Sequence, residues 1–215
     1  MAMSPDQLLN ILLHFDRFLG LFLQEYGNWV YAALFLVVFA ETGLVFTPVL
    51  PGDSMLFVCG TLAGSGKMSL MVLLPLLIVA AILGDAVNYA LGRTWGVRLF
   101  SGRWRLQQKH LVQTEAFYRL HGGKTVIIGR FLPVIRTFVP FVAGTAKMGY
   151  FRFFGFNVSG ALLWVGGLLS AGFFLGRLPW VKSWLSPILV VLVVLSLLPA
   201  AATFAQSYRA RRKNA

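Results

Sequence analysis

Residues 125–146 read TVIIGRFLPVIRTFVPFVAGTA, apolar enough to enter a bilayer, yet holding Arg130 and Arg136 and interrupted by Pro133 and Pro140. Proline removes a backbone donor and clashes with the preceding turn, so one straight helix does not fit this stretch. Broken backbone is tolerated at membrane depth only against protein or a wet cavity. The segment therefore reads as a re-entrant helical hairpin that leaves the membrane on the side it entered. The chain does the same thing earlier. Residues 47–67, TPVLPGDSMLFVCGTLAGSGK, carry Pro48, Pro51 and Gly52 ahead of an apolar run from Met55 to Ala63 that is too short to span alone.

Each hairpin leads into a longer apolar run, at 69–92 and 151–176, and a third run precedes the first hairpin at 28–47. About 20 apolar residues cross a hydrocarbon core, so all three are read as spans, with a fourth at 185–207. The two hairpin–span units echo one another. Ala63-Gly64 and Lys67-Met68 recur as Ala143-Gly144 and Lys147-Met148, and Leu91-Gly92-Arg93 recurs as Leu175-Gly176-Arg177. Residues 7–24 are apolar but interrupted by His14, Asp16 and Arg17, which suits an interfacial or half-inserted helix over 1–27.

Composition agrees. Of 215 residues 58% are hydrophobic and 12% charged, where soluble domains carry about 25% charged residues. The net charge of +12 lies mostly beside apolar spans, so it is read as membrane sidedness and not as a nucleic-acid surface. The basic loop 93–124 and the tail bearing Arg209, Arg211, Arg212 and Lys213 are both placed in the cytoplasm. Counting spans then puts both termini there, and the hairpins enter from opposite faces. The expected fold is an all-α polytopic membrane protein, built as an inverted repeat with two opposed re-entrant hairpins plus full spans. Its core is 28–177, and 178–215 form a last span and basic tail. Cys59 is the sole cysteine, and the scattered His14, His110 and His121 offer no metal-ligand spacing, so neither metal nor cofactor is expected.

Glu41, Asp53, Arg130 and Arg136 fall on or beside the broken segments. A charge at mid-bilayer costs at least about 2.5–3.5 kcal/mol, so such residues pair, line water or work. Both acids belong to the first half and both arginines to the second, and hairpins that meet would bring the signs together. The arginine fork suits a phosphate, which makes Arg130 and Arg136 the candidates for an anionic head group. Glu41, in an apolar span, is the better candidate for gaining and losing a proton. Asp53 follows Pro-Gly and serves either in coupling or as a helix cap. Asp85, Asn88 and Tyr89 share one helical face and are candidates for a secondary polar cluster, either extending a proton path or bonded among themselves. Gly60 with Gly64, and Gly172 with Gly176, are spaced for close helix packing within one chain, while self-association is left open.

The stretch HGGKTVIIGRFLPVIRTFVPFVAGTAKMGYFRFFGFNVSGALLW, residues 121–164, closely resembles the signature of the DedA family of bacterial inner-membrane proteins, which share the VTT domain with eukaryotic lipid scramblases. The matching positions are Gly122, Gly123, Arg130, Phe131, Pro133, Arg136, Pro140, Ala143, Gly144, Met148, Phe153, Asn157, Gly160 and Trp164. Upstream, ETGLVFTPVLPGDSMLF, with Glu41, Pro48, Pro51, Gly52 and Asp53, resembles the family's acidic motif, and GDAVNYALGRTWG its next block. The resemblance implies two re-entrant hairpins in an inverted repeat. It also implies return of undecaprenyl phosphate, or a related anionic lipid, to the cytoplasmic face, with dependence on the proton-motive force. Glu41, Asp53, Arg130 and Arg136 occupy the positions regarded as essential. Rival readings are a proton-coupled antiporter of small cations or drugs, a lipid-phosphate hydrolase, and a structural or assembly role. The hydrolase would need a nucleophile or a metal that the sequence does not offer, so no enzyme is expected.

Overall fold

The structure is a computed structural model that describes residues 27–43, 52–95, 116, 118–132 and 135–178. Its elements are helices α1 (Trp29–Gly43), α2 (Gly52–Gly64), α3 (Leu70–Trp95), α4 (Thr125–Ile128), α5 (Val139–Thr145) and α6 (Tyr150–Gly176). Short 3-10 turns at Gly122–Lys124 and Gly129–Phe131 flank α4. No strand occurs among the described residues. In hydrocarbon only a helix satisfies its own backbone locally, and these apolar segments follow that rule.

Two of the described helices are long and apolar enough to cross a membrane: α3, with 26 residues, and α6, with 27. At 1.5 Å per residue each is about 40 Å long, against a hydrocarbon core of about 30 Å. Their outer faces stay apolar while exposed, with Met71, Val79, Leu83, Phe151, Leu163 and Phe174 uncovered, as lipid-facing side chains would be. The expected 28–47 span is described only as α1, 15 residues long. The N-terminal helix, most of the loop 93–124, the 185–207 span and the basic tail lie outside the described residues, as do the proline-rich residues 44–51.

Between the long helices sit two short ones. Ser54 through Ala63 of α2 are all buried, as are Val139 through Gly144 of α5. Pro140 does not end a helix but begins one: it lies in the first turn of α5, a position that tolerates the missing N–H. The pairing is reciprocal. α2 packs along α6 and α5 along α3, each short helix lying against the long helix of the other half, while α1 packs on α3 and α4 on α6.

Glycines let these backbones touch. A methyl group on Gly64 would collide with the carbonyl of Phe173, and one on Gly144 with that of Tyr89; likewise Gly176 faces Thr61 and Gly92 faces Phe141. These contacts join matching positions of the two echoing segments. The GxxxG spacings thus serve packing inside the chain, since Gly60 meets the backbone of Leu169 and Gly172. Each short helix ends in a turn that visits the left-handed region, at Gly66 (φ +80°) and Lys147 (φ +54°). Afterwards Leu73 N–H donates to Ser69 O, and Phe153 N–H to Gly149 O, starting α3 and α6 alike.

Candidate functional site

Glu41 stands in the last turn of α1 and is 1% exposed. Its carboxylate reaches the N-terminal turn of α2, where a side chain at Gly52 would strike it. Glycine leaves that room, and the amide end of a helix favours a negative charge. Asp53, the next residue of α2, is partly open, with a side chain 32% exposed. Arg136 comes from the turn ahead of α5. One guanidinium nitrogen, Nη1, donates to Asp53 Oδ1 at 2.6 Å, and Nη2 donates to Glu41 Oε1. Two acids of the first half and one arginine of the second thus form a single cluster.

Arg130 goes elsewhere. It sits on the 3-10 turn Gly129–Phe131, buried, and its Nη2 donates to Asp85 Oδ2 of α3 and, at 2.6 Å, to Asn157 Oδ1 of α6. Asn157 in turn donates to the carbonyl of Ile82 at 3.1 Å. Gly160 keeps the space: a methyl group there would press on the Arg130 side chain. The trio expected as one polar cluster is divided among three tasks. Asp85 balances Arg130. Asn88 donates to Thr42 O at 3.1 Å and Thr137 O at 2.8 Å, joining the end of α1 to the turn that carries Arg136. Tyr89 donates to the Met148 carbonyl and accepts from Arg93.

Trp164 of α6 connects the two arginine centres. Its ring lies 5.0 Å from the Arg136 guanidinium carbon and 5.8 Å from that of Arg130, and its Nε1 donates to Asp53 Oδ1 at 2.9 Å. Cation–ring attraction strengthens where water is excluded, as here. Neither Trp164 nor Asn157 carries a charge, so the expense of burying an ion marks neither of them. The readable signal was a buried amide and an indole N–H on an apolar helix, each needing a partner.

The two clusters differ in charge balance. Arg130 with Asp85 is one cation and one anion. Arg136 faces two carboxylates, and Glu41 Oε2 has no hydrogen-bond partner among the described residues. With both acids ionised that cluster carries one surplus negative charge, which a proton or a cation would neutralise. Among the described residues no group of three or more His, Cys, Asp or Glu side chains could hold a metal ion.

The VTT domain model matches residues 50–174, the stretch that holds α2 through most of α6. "Protein DedA" of Escherichia coli (strain K12) is 46% identical over 212 residues, covering 97% of both chains. This chain belongs to the DedA family. An uncharacterized membrane protein of Mycobacterium leprae (strain TN) is 41% identical over 186 residues, 85% of this chain and 83% of that one. The inner membrane protein YqjA of Escherichia coli (strain K12) is 36% identical over 152 residues, 70% of this chain and 69% of its own length. No solved structure matches. A DedA-family chain with two long apolar helices is a helical membrane protein, and Asp53, Asp85, Arg130 and Arg136 all lie within the matched domain.

Proposed function

We propose that this DedA-family protein carries a polyprenyl phosphate, undecaprenyl phosphate being the expected one, across the bacterial inner membrane, with proton movement coupled to the transfer. The observation that carries this reading is one arginine shared by two carboxylates. A phosphate can take the Arg136 fork only if the carboxylates release it, and a carboxylate releases a guanidinium when it takes a proton. Protonation of Glu41 and Asp53 and capture of the head group are then two halves of one exchange. Glu41 Oε2, which has no hydrogen-bond partner among the described residues, is where the proton would reside. Arg130, neutralised by Asp85 and hydrogen-bonded to Asn157, holds its turn in place beside the head group. The polyprenyl tail stays in lipid, so only the phosphate needs this polar path.

The reciprocal packing of α2 on α6 and α5 on α3 supports an inverted repeat of two opposed hairpins, an arrangement that lets a site at the repeat interface open to either face. Both termini are assigned to the cytoplasm on the basic loop and tail. One observation favours a second reading. The surplus negative charge at Glu41 and Asp53 would also suit a small cation exchanged for protons, with Arg136 as a counter-charge.

Arg136→Lys separates the two. Lysine keeps the charge but not the planar fork that grips a phosphate through two bonds. Transfer of polyprenyl phosphate in proteoliposomes should fall at least tenfold while the purified protein still melts cooperatively. Normal transfer by Arg136→Lys would mean that the fork does not grip the phosphate, whereas a wild-type protein that transfers no polyprenyl phosphate but exchanges a cation for protons would favour the cation exchanger.

A further inference from the structure

Away from the Glu41–Arg136 cluster, a cavity of about 510 Å³ opens where α3 ends and α6 begins. Tyr89, Arg93, Lys147, Gly149, Tyr150 and Phe151 line it, and among the described residues none that lines it is acidic. Arg93 is held rather than loose: its Nη1 donates to Tyr89 Oη at 2.7 Å and to the Met148 carbonyl at 3.2 Å. Its remaining guanidinium N–H groups have no acidic partner among the described residues, and neither does the exposed Lys147. Gly149, at the N-cap of the 27-residue α6, provides no side-chain cap, and the space beside its Cα is open. Two cations, uncapped helix amides and an aromatic wall of Tyr150 and Phe151 converge on one cavity.

The other end of the molecule shows what is particular about this one. Arg177 matches Arg93 in the echoing segments, and Phe173 matches Tyr89. Without a hydroxyl to hold it, Arg177 lies over the Phe173 ring at 4.1 Å. The arginine is thus presented to a cavity at one end and laid on a ring at the other.

We propose that the Arg93–Lys147 cavity is a second, one-sided binding site for a phosphate monoester. Arg93 and Lys147 neutralise the anion, the first amides of α6 face it, and Tyr150 and Phe151 bear on an apolar chain attached to it. The phosphate can arrive on a lipid or as the free ion. On the transport reading, this is where a head group waits at one face before or after passing Arg136. The site itself stands without that reading.

The test is calorimetric titration of the purified full-length protein with farnesyl phosphate, farnesol and inorganic phosphate. Arg136→Lys serves as the background, so that the first site contributes least. Lys147→Asn removes the charge and suits the left-handed backbone there, since asparagine tolerates positive φ. Farnesyl phosphate affinity should fall roughly tenfold or more in Lys147→Asn and again in Arg93→Gln, the loss expected of one charged hydrogen bond. Lys67→Asn and Arg177→Gln, at the opposite end, should leave it unchanged. Farnesol should not bind. Binding of farnesyl phosphate but not of inorganic phosphate assigns the site to a lipid; binding of both, lost together in Lys147→Asn, assigns it to the phosphate group from either source. Equal farnesyl phosphate affinity in the Arg136→Lys background with and without a folded Lys147→Asn overturns the site. Failure of the transport reading would show instead as a wild-type protein that transfers no polyprenyl phosphate in proteoliposomes, a measurement made without any Lys147 variant.

Discussion

Arg130 and Arg136 are chemically identical and sit in different balances, so neutralising their partners should have unequal costs. Asp85 is the only carboxylate on Arg130 among the described residues, and both side chains are buried. Asp85→Asn would leave a buried guanidinium uncompensated, a loss that typically costs about 3–5 kcal/mol. Asp53→Asn removes one of the two acids from Arg136, and Glu41 remains. Detergent melting should show Asp85→Asn far below wild type and Asp53→Asn close to it; equal losses would mean that the Arg130 pair is not the structural one. At this scale the sequence disclosed the ions but not their pairing. Glu41, Asp53 and Arg136 stood out because charge is expensive in lipid, and they do meet. Asp85 and Arg130 were both visible too. Nothing local links residues so far apart, however, and Asn157, which completes the pair, is marked by the family resemblance alone and bears no charge.

The short helices are central at the scale of elements, because each is gripped by the long helix of the other half through glycine. A side chain at Gly64 or Gly144 must displace backbone, at Phe173 or at Tyr89 and Arg93 respectively. Overpacking of this kind usually costs about 1–3 kcal/mol, and backbone cannot rotate away as a side chain can. Gly64→Leu and Gly144→Leu should therefore both lower the melting temperature by a similar amount. Gly167→Leu, where a Cβ meets nothing within 4 Å, should not. If only one of the pair is destabilised, the two packing seams are not equivalent. The GxxxG spacings make one seam legible in the sequence. The seam of Gly92 and Gly144 was not, because those glycines lie on separate segments and form no spacing of their own. Pro140 reads as a break from composition, which cannot tell a helix end from a helix start; it stands in the first turn of α5.

Across the whole molecule, hydropathy located α3 and α6 to within a few residues, since long apolar periodic runs leave a helix no alternative in lipid. Sidedness follows a different signal, the excess of Lys and Arg in 93–124 and at the C-terminus. Single cysteines placed at 103 and 211 in a Cys59→Ala background should resist a membrane-impermeant reagent applied to intact cells. A cysteine at Gly66 should react from outside. Ready labelling at 103 would reverse the assignment and the direction of both hairpins. The measurement that tests the central claim most directly is polyprenyl phosphate transfer in proteoliposomes, with and without an imposed pH gradient, for wild type and Glu41→Gln. Proton-coupled exchange at the Arg136 cluster predicts that the gradient alters the wild-type rate, while Glu41→Gln, fixed in imitation of the protonated acid, stays folded and transfers lipid at a rate indifferent to the gradient. A wild-type protein that moves no lipid under either gradient, or a folded Glu41→Gln with the full wild-type response to pH, would contradict it.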